Sequence, residues 1–335
     1  MVDQWRRWVS ERMDEYVFEF VKLYYRGYRR RMPAYRPAGA CDLSVLSGLE
    51  APADFDLQPA AGWKSYGVQE LRFPSPVPCA CPENATVAAR LLTASAGAPW
   101  TLIIPGYSTG AVPPYDYGFF QDIQALALLT RGINVALIAL PYHLGRKRSG
   151  GYGSGEGFFS PDLADMQATF LQAAADGIAL VRWLQTQSSR PVGVWGTSLG
   201  GNVAGMIATR VTDVGAVVLM EPLDNPGDTL RIHYASREIR RALKVAGESA
   251  EVLTDALRWL APSSHRPAVS VDRILFISPL WDRVIPFQFQ NAFWEAWDRP
   301  ERITVAAGHL TMPPDGGLNA LIADFISRRV FSSAS

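Results

Sequence analysis

One serine is set apart from the others by the spacing of the glycines around it. Gly196-Thr197-Ser198-Leu199-Gly200 forms a G-x-S-x-G pentapeptide. A short apolar run that predicts a strand (192–195) precedes it, and a run that predicts a helix (199–210) follows. At such a strand-to-helix turn the serine adopts a strained backbone conformation that exposes its hydroxyl, and the glycines avoid collisions with the neighbouring strand and helix. The pattern predicts Ser198 as a catalytic nucleophile.

A serine hydroxyl is a poor nucleophile at neutral pH and needs a base that takes its proton. The chain has four histidines, and His309 is the one that follows the last predicted strand. The chain order Ser…Asp…His places the base in that loop. His309 is therefore predicted as the general base. His143, which follows an earlier strand, is predicted to be structural or pocket-lining.

The residue that orients the histidine is expected at the end of the preceding strand. Asp282 follows the predicted strand 274–278 and begins an Asp-x-Val-x-Pro turn. Its predicted role is to fix the imidazole tautomer and to stabilise the imidazolium that forms. Glu221 and Asp224, which follow the predicted strand 216–220, are the alternative acids.

Acyl transfer also requires donors for a developing oxyanion. The backbone N–H of Leu199, at the start of the helix after the serine, is one candidate. The second is the backbone N–H of Tyr107, in the loop Pro105-Gly106-Tyr107 after another predicted strand. Alternatively, the Tyr107 side chain lines the acyl pocket.

Strands and helices alternate along most of the chain. Eight strands are predicted, at 67–73, 85–92, 101–105, 134–140, 192–195, 216–220, 274–278 and 302–306. Helices are predicted between and after them, at 117–129, 162–187, 199–210, 287–297 and 317–330. Parallel strands need such crossovers, and continuously apolar strands indicate burial on both faces. The predicted fold is α/β, with a mostly parallel eight-stranded sheet and helices on both faces.

Three regions follow from this pattern. Residues 63–222 and 271–335 are predicted to form the core, and 223–270 to form a helical cap of two helices (228–245 and 250–260) after the sixth strand. Residues 1–62 are predicted as an N-terminal helix (3–31) and a connector (33–62). The apolar stripe of that helix is largely aromatic, which favours packing on its own domain or on a second subunit; contact with a membrane surface is the alternative.

Composition excludes several other classes. The 335 residues carry 32 basic and 32 acidic side chains, so no overall field favours nucleic acid. No apolar run approaches the roughly 20 residues of a membrane-spanning helix, and the first residues lack the apolar core of a secretory signal. The three cysteines predict reduced thiols and a cytoplasmic protein.

The loop at 105–107, the pentapeptide around Ser198, Asp282 and His309 together resemble the α/β-hydrolase superfamily, in particular its esterase, lipase and peptidase-like members. The segment 140–147 is similar to one in poorly characterised bacterial members. The resemblance implies a serine esterase that cleaves a small acyl ester through an acyl-enzyme, with neither a metal nor an organic cofactor. A peptidase or amidase, an acyltransferase and a non-catalytic binding protein are the alternatives. Basic residues in 223–270 either favour acidic substrates or form a solvated helix face.

Overall fold

A nine-stranded sheet forms the centre of the computed structural model, which describes residues 2–24, 32–61, 63–110, 119–150, 152–233, 236–313 and 316–332. The strands are β1 (Asp56–Pro59), β2 (Gly67–Pro74), β3 (Thr86–Thr93), β4 (Trp100–Ile104), β5 (Asn134–Ile138), β6 (Val192–Thr197), β7 (Val214–Met220), β8 (Ile274–Pro279) and β9 (Glu301–Val305). Their order is β1-β2-β3-β5-β4-β6-β7-β8-β9. The pairs from β5 to β9 are parallel, and β1, β2 and β3 are joined to the sheet by antiparallel pairing.

All eight predicted strands are present, but the sheet has nine strands, one more than predicted. The additional strand, β1, lies inside the segment 33–62 that the sequence assigned to a connector. It pairs antiparallel with β2 at the edge of the sheet, with Leu57 opposite Leu71. Its four residues, DLQP, are mostly exposed and carry no apolar alternation. An edge strand of this kind is formed by backbone pairing, which leaves little trace in the sequence pattern.

Helices cover both faces of the sheet. The α-helices of the described residues are α1 (Val2–Tyr24), α2 (Phe119–Leu129), α3 (Leu163–Thr186), α4 (Leu199–Ala208), α5 (Pro226–Ile232), α6 (Arg237–Val245), α7 (Val252–Leu257), α8 (Phe287–Ala296) and α9 (Gly316–Val330). Residues of α2 and α9 share one buried cluster with the sheet, and residues of α3, α4 and α8 share the other. The two-sided burial matches the continuously apolar strands.

The N-terminal helix α1 differs from its prediction in orientation. Its described part ends at Tyr24, and residues 25–31 of the predicted helix lie outside the described residues. Trp5, Trp8 and Tyr16 are 66%, 56% and 67% exposed, whereas Ser10 and Asp14 are buried. The prediction that the aromatic stripe packs on its own domain is therefore wrong for these residues. The polar face packs instead, because it forms hydrogen bonds to the loop that carries His309. A second subunit or a membrane surface as the partner of the aromatic face stays a prediction.

The segment 223–270 contains three short helices, α5, α6 and α7. The predicted single helix 228–245 is interrupted, because His233 has an extended backbone (ψ 138) and ends α5. Helix α7 and the turn after it pack on the core: Gln167 donates to the carbonyl of Ala256, and Asn202 donates to that of Leu260. The function of this segment as a cap stays a prediction. Within the described parts of the chain, none of the helices combines the length and the apolar character needed to cross a bilayer.

Candidate active site

The turn between β6 and α4 holds Ser198 in a conformation that few side chains adopt. Its backbone has φ 55 and ψ −114, a region that is costly for residues other than glycine and that is common at functional sites. A Cβ added at Gly196 would overlap the carbonyl oxygen of Gly200, and one added at Gly200 would overlap that of Ile104. The flanking glycines are therefore required by the close approach of α4, β6 and β4, as the pentapeptide predicts.

The structure brings together the three side chains that the sequence singled out. Ser198 Oγ lies 3.0 Å from His309 Nε2, and His309 Nδ1 lies 2.8 Å from Asp282 Oδ2. Ser198 follows β6, Asp282 follows β8 and His309 follows β9. The carboxyl ends of parallel strands share one edge of the sheet, so side chains far apart in sequence meet there.

Hydrogen bonds to both carboxylate oxygens hold the Asp282 side chain in its orientation toward His309. Its Oδ1 accepts from the backbone N–H groups of Val284 and Ile285, at 2.8 Å and 2.7 Å. Its Oδ2 accepts from Gln290 Nε2 at 3.0 Å, in addition to His309. The turn that the Asp-x-Val-x-Pro pattern predicts supplies the two N–H donors. Gln290, on α8, was not predicted as part of the site. Its hydrogen bond helps to fix the position of Asp282 Oδ2, the oxygen that faces the imidazole.

The alternative acids are in different positions. Glu221 is buried, and its Oε2 lies 3.9 Å from His309 Nδ1 without a hydrogen-bond partner. Asp224 instead accepts from the backbone N–H and the hydroxyl of Ser263. The imidazole is therefore hydrogen-bonded to Asp282, with Glu221 as a second carboxyl group close by.

Carboxyl groups dominate the electrostatics of His309. Burial alone lowers the pKa of His309, but the carboxylates of Asp282, Glu221 and Asp14 outweigh burial and raise it above the ordinary histidine value. Burial raises the pKa of Glu221; the His309 charge opposes this, and the negative charges of Asp282 and Asp14 add to it. The site stabilises a positive charge on the imidazole, which is the form that a general base acquires when it takes a proton.

The loop after β4 lies directly against the serine. A Cβ added at Gly106 would stand 3.4 Å from Ser198 Cβ and 3.5 Å from the carbonyl oxygen of Thr197. Tyr107, the next residue, is partly buried, and its ring makes edge contacts with those of His143 and Phe159. Of the two predicted oxyanion donors, Tyr107 therefore lies in the loop that contacts Ser198, and Leu199 is the first residue of α4, directly after Ser198.

His143 supports the loop after β4. Its Nε2 accepts from the backbone N–H of Ser108 at 3.1 Å, and its Nδ1 lies 2.8 Å from the carbonyl of Pro141. Burial lowers the pKa of His143 to about 4, so the ring is neutral. Nearby, the buried pair Arg146–Asp176 (2.8 Å) links the segment 140–147 to α3. The surroundings of His143 are those of a structural residue.

The site also contains the donor types of a metal centre. Glu221, Asp282 and His309 each place one candidate ligand atom within 4.8 Å of the other two. The Asp282 and His309 atoms in this group are already hydrogen-bonded to each other, and a metal ion would have to replace that bond. The donor set therefore fits a proton-transfer site better than a metal site.

Asp14 lies beside this site and was not predicted from the sequence. It comes from α1, and its carboxylate accepts hydrogen bonds from backbone N–H groups beside Asp282 and at His309. The available sequence signal is weak: Ser10 and Asp14 are polar residues four positions apart, which places them on one helix face.

Comparisons with known proteins identify the fold. No family model matches the chain. Acetyl xylan esterase 1 from Thermoanaerobacterium sp. JW/SL YS485 superimposes with a TM-score of 0.63 at 18% identity, over 91% of this chain and 98% of that one. An acetyl xylan esterase from Paenibacillus sp. R4 gives a TM-score of 0.65 at 15% identity, over 90% and 98%. The acylaminoacyl peptidase of Pyrococcus horikoshii gives 0.55 at 14% identity, over 82% of this chain and 43% of that one.

The chain adopts the α/β-hydrolase fold, as these structures and the sheet order show. In sequence, it is similar to two uncharacterized proteins of Mycobacterium tuberculosis, from strains CDC 1551 / Oshkosh and ATCC 25618 / H37Rv. Each is 26% identical over 216 residues, which cover 63% of this chain. The chain spans 49% of the length of each of these relatives.

Proposed function

We propose that this protein is a serine hydrolase that cleaves carboxylic esters. The proposal rests on one observation: the His309 ring lies between the other two side chains, with Nε2 3.0 Å from Ser198 Oγ and Nδ1 2.8 Å from Asp282 Oδ2. The strained backbone of Ser198 and the carboxyl groups that stabilise a positive charge on the His309 ring support it. The neighbours that are acetyl xylan esterases are consistent with it.

In the proposed reaction, His309 Nε2 takes the proton of the Ser198 hydroxyl while Oγ attacks the acyl carbonyl. The carbonyl oxygen becomes an oxyanion, which the backbone N–H groups of Leu199 and Tyr107 receive. Asp282 stabilises the imidazolium. When the tetrahedral intermediate collapses, the bond to the alcohol breaks and His309 gives the alcohol oxygen its proton.

The acyl-enzyme is then hydrolysed by the same groups. His309 removes a proton from water, and the water oxygen attacks the acyl carbon bound to Ser198 Oγ. The second tetrahedral intermediate releases the carboxylic acid, and the proton returns to Oγ. An alcohol in place of water would give acyl transfer, and an amide in place of the ester would give peptidase chemistry, as in the Pyrococcus horikoshii neighbour.

Cytoplasmic location is part of the same proposal. All three cysteines, Cys41, Cys79 and Cys81, are free thiols. Free thiols are typical of reducing compartments.

The test is the hydrolysis of p-nitrophenyl esters of increasing acyl length, with p-nitroanilides of the same acids as the amide comparison. The wild type is expected to prefer the esters, and Ser198→Ala to lower kcat/KM by at least about a thousandfold. Ser47→Ala, at an exposed serine, is the matched control and should retain full activity. Preference for the anilides would favour the peptidase alternative. Equal turnover by Ser198→Ala and the wild type, or no turnover by either, would overturn the proposal.

A further inference from the structure

Asp14 joins α1 to the two loops that carry Asp282 and His309. Its side chain is buried, with an exposed fraction for the residue of 1%. Oδ2 accepts from the backbone N–H of Arg283 at 3.0 Å and from that of His309 at 2.9 Å. Oδ1 accepts from the backbone N–H of Leu310 at 2.9 Å. One carboxylate therefore satisfies three main-chain donors on two different loops.

These donors are adjacent to the reacting groups. Arg283 directly follows Asp282, and His309 begins a 3-10 turn, His309–Thr311. The Asp14 carboxylate thus bridges the backbone of the loop that holds the acid and the backbone of the loop that holds the base. The same two loops carry the 2.8 Å contact between His309 Nδ1 and Asp282 Oδ2. The spacing of the loops, which Asp14 bridges, therefore sets the length of this contact.

Two further contacts fit α1 closely to the same turn. The Thr311 hydroxyl donates to Ser10 Oγ at 2.8 Å, one helical turn before Asp14. A Cβ added at Gly308 would stand 2.8 Å from Asp14 Oδ2. Gly308 therefore allows an approach that a side chain would prevent. The polar face of α1 is shaped to this loop, although Trp5 and Tyr16 on its other face are exposed.

We propose that Asp14 is a positioning residue, which holds Asp282 and His309 at their working distance and couples the N-terminal helix α1 to the active site at this one position. The inference rests on the proposed function. The two loops are also joined by main-chain hydrogen bonds from Leu280 to Val305 and from Trp281 to Ala307, both at 2.9 Å. Loss of the Asp14 bridge is therefore expected to loosen the site without dismantling the sheet.

Asp14→Asn is the informative substitution. An amide presents an NH₂ group where the carboxylate presents an oxygen, so at least one of the three N–H donors meets another donor. We expect kcat/KM to fall by about ten- to a hundredfold, mainly through kcat, because small displacements of catalytic groups are costly. Asp3→Asn, the same chemical change at an exposed position of the same helix, should leave kcat and KM unchanged. Unfolding curves of both variants give the fraction that is folded in the assay.

A readout that does not depend on turnover separates this proposal from the proposed function. The NMR signals of the His309 imidazole, assigned with His309→Gln, report its hydrogen bond and its titration. The carboxyl groups that face His309 are Asp282, Glu221 and Asp14, and each raises its pKa. Asp14→Asn should therefore lower the pKa of His309 and broaden or shift its Nδ1 proton, whereas Asp3→Asn should change neither.

The outcomes are distinct. A wild type without esterase activity, combined with an altered His309 titration in Asp14→Asn, would refute the proposed function and retain the positioning role. An active wild type with unchanged kcat and an unchanged His309 titration in folded Asp14→Asn would overturn the positioning role alone. A fall in activity that matches the unfolded fraction, with the normal His309 titration in the folded fraction, would also overturn it.

Discussion

His143 and His309 are both buried, but their surroundings give them opposite tendencies to carry charge. The ring nitrogens of His143 contact main-chain groups, the carbonyl of Pro141 and the N–H of Ser108. Those of His309 contact the side chains of Asp282 and Ser198. Burial lowers the pKa of His143 to about 4, whereas carboxylates raise that of His309 despite its burial.

The comparison shows what makes a buried histidine a candidate base. Burial by itself produces a neutral ring that serves as a fixed hydrogen-bonding group. Carboxyl groups on one side and a hydroxyl on the other produce a ring that can accept a proton from the hydroxyl and retain it briefly. The region around His143 is thus a support for the loop after β4, and the region around His309 is equipped for proton transfer.

The largest expected difference between the two regions is in activity. His309→Ala should lower kcat/KM for the best p-nitrophenyl ester by roughly 10⁴-fold, because the nucleophile loses its base. His143→Ala should keep kcat/KM within about tenfold of the wild type and instead lower the free energy of unfolding by about 1–3 kcal/mol, because the contacts of the buried ring with Ser108 and Pro141 are lost. Activity assays and urea unfolding of both variants test this. Similar losses of activity in both folded variants would remove the distinction.

The next effect concerns the stability of the His143 region. Asp176→Asn leaves the buried guanidinium of Arg146 without its 2.8 Å ion-pair partner, and breaking a buried pair costs about 3–5 kcal/mol. Asp213→Asn, which breaks an exposed pair with Arg182, should cost about 0–1 kcal/mol. Urea unfolding measures both. Equal costs would contradict a structural role for the buried pair, and a folded Asp176→Asn enzyme should retain its kcat.

The smallest expected effect is a displacement of the pH profile. His309 must be neutral to take the serine proton, so kcat/KM rises with pH through the pKa of His309. The Glu221 carboxylate raises that pKa, and Glu221→Gln should therefore move the acidic limb to lower pH, by about one unit or less.

Asp224→Asn is the matched control for that displacement. It alters another buried carboxyl group, whose hydrogen bonds go to Ser263 and not to His309, so the limb should stay in place. Profiles of kcat/KM from about pH 6 to about pH 11 cover the acidic limb, because the surrounding carboxyl groups raise the pKa of His309 to about 10. A limb that stays in place in Glu221→Gln would show that Glu221 does not influence the base, and a limb that moves upward would contradict the predicted direction of its influence.

The order of elements in the sequence predicted which side chains of the candidate site meet, but not what surrounds them. Ser198, Asp282 and His309 follow the parallel strands β6, β8 and β9, and parallel strands align their carboxyl ends, so the order of elements was enough to bring them together. By contrast, β1 has no apolar pattern. The hydrogen bond between Asp14 and His309 joins residues 295 positions apart in the chain. The residue pattern of α1 alone cannot predict a main-chain donor on such a distant loop.

The orientation of α1 was also beyond the reach of pattern analysis. An apolar stripe predicts the buried face of a helix on the assumption that hydrophobic burial decides the packing. In α1, Ser10 and Asp14 are buried and Trp5 and Trp8 are exposed. There the hydrogen bonds of Asp14 to backbone N–H groups of distant loops decide which face of α1 is buried. Such bonds depend on tertiary structure and not on the pattern within the helix.

The most direct test of the central claim is the reaction with a fluorophosphonate, which modifies activated serines. The adduct is located by mass spectrometry of the intact protein and of its peptides. We predict a single adduct on Ser198, formed at least about a thousandfold more slowly in His309→Ala and within about tenfold of the wild-type rate in His143→Ala. An adduct at another residue, or labelling of Ser198 at the same rate without His309, would contradict the assignment of Ser198 as a nucleophile activated by His309.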